Sequence, residues 1–334
     1  MVTLRTGFVM AASPGGEHSL DVTFYGVRGS TPCSCDANRR YGGNTACVSL
    51  DAPGSPPVVF DLGTGLRFWG NRFPVGTPFN GHALVTHLHW DHVQGLPFFG
   101  PALRPGTTLD IYAPRPESKT LEEAFDEFMA PPYFPVRVAD LPGDLRFHPV
   151  GDDEFNVGEL RVTSRLVPHI GPTLGYRVEH GSASVAYVSD HQQPLDGSFD
   201  VPPAVLELCD GVDLLIHDAQ YTPEELRQKQ GWGHSSWEQA VEVGRQARVR
   251  RLVLTHHDPD HDDVGDRHRD GEEEEGDDGG AVHALEPRRD EARLLAQPEH
   301  PHEREQERRP PEREHELAAD RAAEVADHGR SPVI

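Results

Sequence analysis

The chain has 334 residues, 36% of them hydrophobic, which is enough for one large or two modest domains with a buried core. Asp and Glu number 55 against 31 Lys and Arg, a formal net charge of −24, of which 11 units fall in residues 263–334 and 13 in residues 1–262. An acidic body disfavours a long nucleic acid wrapped along the surface, because such binding rests on phosphate neutralisation by basic side chains.

Residues 1–18 read as a flexible N-terminus without the continuous apolar stretch of a secretory signal, and no apolar run reaches bilayer-spanning length. β-Rich runs follow at 20–27, 46–51, 57–62, 83–86 and 108–112, with a second set at 160–166, 173–179, 184–189, 212–217 and 251–255. Helical patterns occupy 121–129, 202–209, 223–230 and 235–247, the last with Ser235 or Ser236 as its cap. The Pro-rich stretch 129–135 reads as a loop with aromatic bulk, the composition expected of a lid. Strands in two clusters with helices interspersed predict an α/β sandwich over residues 19–262.

Residues 263–334 contain no Phe, Tyr or Trp and are dominated by Glu, Arg, Asp and His. Such a segment cannot offset its ordering entropy and is expected to be a disordered tail. Both a natural tail and an out-of-frame end would give this composition. Cys33, Cys35, Cys47 and Cys209 are too few and too irregular for a disulfide scaffold, and are expected to be reduced in a cytoplasmic protein.

The strongest chemical signal is Thr86-His87-Leu88-His89-Trp90-Asp91-His92, directly after the apolar run 83–85. At a strand end, His87 and His89 project the same way and can reach one ion, while Asp91 and His92 fall where the chain turns into a helix and can face a second. A structural zinc site would prefer Cys and a closed shell.

This His-x-His-x-Asp-His spacing resembles the metallo-β-lactamase superfamily, and further positions match its pattern in order. Asp61 in Phe60-Asp61-Leu62-Gly63 looks like the first acidic motif, His169 the third histidine of the first metal, Asp190 the bridging carboxylate, and His256 the last histidine of the second metal. The resemblance implies a four-layer αββα sandwich with two divalent ions, zinc by default and manganese or iron also fitting. One ion would take His87, His89 and His169; the other would take Asp91, also counted as catalytic, with His92 and His256; Asp190 and a hydroxide would bridge. His257 is adjacent to His256, and alternation lets only one of them face the ions.

Gly233-His234-Ser235-Ser236 ahead of a helix resembles the histidine-serine-threonine motif of the phosphodiesterase and ribonuclease Z-like branch, with Ser236 in place of Thr. The resemblance gives His234 a catalytic role, contacting a phosphate oxygen or protonating the leaving alkoxide, with Asp218 as its acidic companion; a plain helix start and a structural carboxylate are the alternatives. Tyr25-Gly26-Val27-Arg28-Gly29-Ser30-Thr31-Pro32 and Arg40-Tyr41-Gly42-Gly43-Asn44-Thr45 are similar to the branch's bacterial cyclic-nucleotide phosphodiesterase-like members, and Gly42-Gly43 suits close backbone approach to a ligand. Only 20 residues separate His169 from Asp190, with none of the basic arm by which ribonuclease Z grips tRNA. The expected substrate is therefore a small phosphodiester, with no long nucleic acid, no membrane, and a homodimer left open. Thioester, lactone or β-lactam hydrolysis, a redox di-iron protein and a metal-binding module without activity are the competing readings.

Overall fold

A computed structural model describes residues 8–9 and 19–263, and among these thirteen strands build two sheets. In the first sheet β1 (Phe8–Val9), β2 (Asp21–Gly26), β3 (Cys47–Asp51), β4 (Val58–Phe60), β5 (Asn80–Leu84), β6 (Thr108–Pro114) and β7 (Asp144–Val150) lie side by side in chain order. The second repeats the scheme with β8 (Glu154–Val157), β9 (Leu160–Leu166), β10 (Leu174–His180), β11 (Ala183–Val188), β12 (Leu214–Asp218) and β13 (Leu252–Thr255). Each sheet begins antiparallel and ends parallel, the change falling at β4 and at β11.

Parallel neighbours need crossovers, and the helices supply them. The connections among β4 to β7 carry α1 (Leu66–Gly70), α2 (Trp90–Val93) and α3 (Leu121–Phe128), and those among β11 to β13 carry α4 (Pro203–Cys209), α5 (Pro223–Gln228) and α6 (Trp237–Gln246). Side-chain alternation then sorts the strands' residues into layers. Val58 and Phe60 of β4, Val185 and Tyr187 of β11, Leu214 and Ile216 of β12 and Val253 of β13 meet in the core between the sheets. Their neighbours face outward: Val59 packs with Trp69 and Phe125 under α1 and α3, whereas Ala186, Val188, Leu215 and Leu252 pack under α4 and α6. The result is the expected αββα sandwich.

Strands β1, β7 and β8 and helix α1 escape the sequence pattern, and β5 departs from it in where it starts. Strand β7 carries Pro149, tolerated because β7 is the edge of its sheet and a missing N–H there breaks no ladder. Strand β5 begins at Asn80, earlier than its apolar run, since Gly81 beneath the Phe79 ring leaves no side chain to mark the alternation. Helix α1 has five residues, too few for a helical period to register, yet its Trp69 is fully buried. Of the two candidate caps for α6 the structure uses Ser236, whose hydroxyl accepts from Gln239 N at 3.4 Å. The four cysteines are free. Among the described residues no helix is long and apolar enough to cross a membrane.

Apart from Phe8 and Val9 the expected flexible N-terminus lies outside the described residues, as does the expected tail beyond Asp263. Asp263 itself is buried, its carboxylate 2.8 Å from the Arg28 guanidinium.

Phe60 is fully buried between the sheets, stacked on Tyr187 with centroids 4.7 Å apart. Phe60→Ala is expected to lower unfolding stability by about 3–5 kcal/mol in urea titration, the cost of a large cavity at the inter-sheet contact.

Candidate metal centre

Because β4 and β5 run parallel, as do β11, β12 and β13, their carboxyl ends gather at one edge of the sandwich, where ligands bind in open α/β sheets. Asp61 follows β4, His87 to His92 follow β5, Asp190 follows β11, Asp218 closes β12, and His256 follows β13. Asp61 and His256 have left-handed backbones, with φ of 57° and 60°. Non-glycine residues hold such angles only where surroundings over-determine them, which is frequent at functional sites. The turn at His256 thus selects it over His257 through backbone conformation, beyond the simple alternation of an extended strand. His257 instead stacks on Tyr41 at 5.7 Å and takes up the backbone of the segment around Arg28.

The side chains form two groups with a carboxylate between them. His87, His89 and His169 make the first, with His169 Nε2 and His89 Nδ1 3.2 Å apart. Asp91, His92 and His256 make the second: His256 Nε2 lies 3.1 Å from Asp91 Oδ2 and 3.3 Å from His92 Nε2. Asp190 Oδ1 is 3.2 Å from His92 Nε2, and its Oδ2 is 3.8 Å from Nε2 of both His87 and His169 and 3.4 Å from that of His256. One carboxylate therefore reaches both groups.

The donor set fits divalent cations. His169 Nδ1 is committed to Gly233 O at 2.6 Å, His92 Nδ1 to Asp61 at 2.8 Å and His256 Nδ1 to Gln220 Oε1 at 2.9 Å, so each turns its Nε2 inward. His87 Nε2 is buried with no hydrogen-bond partner among the described residues. Lone pairs converging on one another are stable only around positive charge. Burial, reinforced by neighbouring imidazoles, pushes the pKa of His87 well down and that of His89 and His169 down, which leaves neutral imidazole, the form that ligates. At the second group burial opposes protonation, but the surrounding carboxylates outweigh it, raising His92 well above the ordinary value and His256 to about 9. That place favours positive charge.

Two glycines make room for these rings. A side chain at Gly29 would come within 2.3 Å of the His256 imidazole, and one at Gly233 within 2.6 Å of His169. The adjacent Ser30 N donates to Asp91 Oδ2 at 2.9 Å. Gly43, by contrast, is pressed against the Cys33 carbonyl, so its close approach is to the protein's own backbone.

His234 and Asp218 lie beside the second group. Asp218 is fully buried, and its Oδ2 takes His234 Nδ1 and His191 N at 3.0 Å each, while Oδ1 takes Gln220 N at 2.9 Å. His234 Nδ1 is also 3.7 Å from Asp190 Oδ2, and its ring stacks on His256 at 4.8 Å. The seven expected metal ligands, with His234 and Asp218, thus come together. Gln220 and Tyr187, which support them, carry no sequence signal of their own.

A family model described as a beta-lactamase superfamily domain matches residues 71–257, more than half of the chain. The chain belongs to this superfamily. Ribonuclease Z of Haloferax volcanii is 27% identical over 285 residues, covering 71% of this chain and 84% of that protein. The metallo-beta-lactamase fold protein YhfI from Bacillus subtilis, at 18% identity, superposes with a TM-score of 0.56 over 75% of this chain and 91% of its own. Human tRNase Z, short form, at 22% identity, gives 0.54 over 71% and 92%. These two share the fold. As a superfamily member with ribonuclease Z relatives, the protein is a metal-dependent hydrolase with side chains suited to divalent ions.

His256→Ala is expected to lower bound metal and His257→Ala to leave it unchanged, read by elemental analysis after loading; the reverse pattern would place the ligand one residue later. Gln220→Ala is expected to weaken metal binding about 10- to 100-fold in a chelator competition, because it frees the His256 ring.

Proposed function

We propose that the protein is a phosphodiesterase acting on small phosphodiesters, cyclic nucleotides among them, at a centre of two divalent ions. His87, His89 and His169 would hold one ion and Asp91, His92 and His256 the other, with Asp190 shared; five imidazoles make zinc the default, and manganese or iron fit the same set. When bound, such ions would lower the pKa of water and stabilise charge on a phosphoryl oxygen. The observation that carries the phosphodiester reading is His234, fixed by Asp218 at 3.0 Å beside Asp190 and His256.

With Nδ1 donating to Asp218, His234 keeps Nε2 as the atom that holds and delivers a proton. Cleavage of an alkyl phosphodiester needs that proton on the departing oxygen. Cleavage of a thioester, whose thiolate departs unprotonated, does not, which sets this reading above thioester hydrolysis. The relatives named ribonuclease Z are by that name RNA-cleaving, and RNA is a phosphodiester. A small substrate is favoured over tRNA because the segment between His169 and Asp190 is taken up by the hairpin of β10 and β11, and because residues 1–262 carry 13 net negative charges.

His234→Ala is expected to lower turnover of a cyclic nucleotide by roughly a hundredfold or more, and that of bis(p-nitrophenyl) phosphate far less, since p-nitrophenolate departs unprotonated. Equal losses would assign His234 to orienting substrate. Hydrolysis confined to lactones or thioesters would overturn the phosphodiesterase reading.

A further inference from the structure

We infer that the cavity beside His234 receives the base of a nucleoside phosphodiester, and that the side-chain amide of Gln193 reads that base. The inference rests on the phosphodiesterase reading and names the group that the phosphorus ester carries.

The cavity measures about 380 Å³ and has His234 in its wall, so it adjoins the centre without belonging to either ligand group. That volume lies at the small end of ligand pockets and suits one nucleoside, not a polymer. Its apolar lining comes from Leu195, Phe199 and Leu226, and amide edges come from Gln192, Gln193 and Gln230. Arg227 and Glu238 add one charge of each sign, and Arg227 is already paired with Glu224 at 2.8 Å. A second phosphate would find no net positive field here. A neutral planar heterocycle, with apolar faces and polar edges, finds both kinds of wall.

Gln193 supplies the directional element. It is 7% exposed, and its Oε1 accepts from Ser236 Oγ at 2.8 Å and Ser236 N at 3.3 Å. Those two bonds fix which way the amide faces, since only the oxygen can accept from both. Its Nε2 has no partner among the described residues, so a positioned donor remains for a ligand in the cavity. Ser236 in turn caps α6 and stands two residues after His234, so the base-reading amide and the proton-handling imidazole hang on one short rigid segment. A carbonyl oxygen or ring nitrogen of a base accepts from Nε2.

The test uses the metal-loaded full chain and measures equilibrium binding of nucleoside 5′-monophosphates and of ribose 5-phosphate, which lacks only the base. The nucleotide is expected to bind at least tenfold more tightly. Gln193→Glu keeps an oxygen for Ser236 and removes the donor; Leu226→Trp fills the cavity from a different lining residue and leaves Gln193 in the sequence. Each is expected to erase the advantage of the nucleotide. Equal binding of the two ligands by the unaltered protein, or an advantage that survives both substitutions, would overturn the inference. Cleavage of bis(p-nitrophenyl) phosphate, which has no base, is followed in parallel. Its loss together with selective nucleotide binding would count against the phosphodiesterase reading alone, and its presence without base preference against the cavity assignment alone.

Discussion

The rest of the site depends on one buried carboxylate. Asp61 is fully buried, and its Oδ1 takes Thr86 N at 2.8 Å and Thr86 Oγ1 at 2.9 Å, while Oδ2 takes His92 Nδ1 at 2.8 Å and Tyr187 Oη at 3.0 Å. An ionised carboxylate in a protein interior is tolerable only when its lone pairs are met in this way. The four bonds tie the end of β4 to the turn after β5, to the start of α2 and, through Tyr187, to β11 of the other sheet. Asp61 thus registers the two sheets against each other at the edge where the imidazoles converge. Its left-handed backbone, φ 57°, is the local strain that aims it there.

Outward from Asp61 the same logic recurs, with four of the imidazoles held by a bond at Nδ1. Asp61 fixes His92, Gln220 fixes His256, the Gly233 carbonyl fixes His169, and Asp218 fixes His234. The carboxylates of Asp91 and Asp190 make the space between the rings attractive to positive charge, and burial keeps His87, His89 and His169 neutral and ready to donate. Gly29 and Gly233 allow the rings to pack against backbone that any side chain would displace. Rigidity here comes from hydrogen bonds at the outer ring nitrogens combined with close backbone contact.

Much of this was legible in the sequence where the chemistry is local. His87, His89, Asp91 and His92 declare themselves because a strand end and the following turn place neighbours in sequence around neighbouring points in space. His169, Asp190 and His256 are isolated residues, and only their order and strand-end contexts, together with the family resemblance, marked them. Gln220 and Tyr187 were illegible because their partners lie 36 and 126 residues away. The preference for His256 over His257 rests on a left-handed turn that alternation along an extended strand does not describe. In the fold, strands buried on both faces were readable as apolar runs, whereas edge strand β7 with its proline and the five-residue α1 lacked the length or pattern to register.

Two cations sharing Asp190 are the claim on which the catalytic account turns. Native mass spectrometry of the full chain, loaded with zinc and freed of loosely bound metal, measures it directly. The account predicts two ions per chain in the unaltered protein and a loss of metal in Asp190→Ala. A single ion at saturation, or two ions retained when Asp190 is replaced, would contradict it.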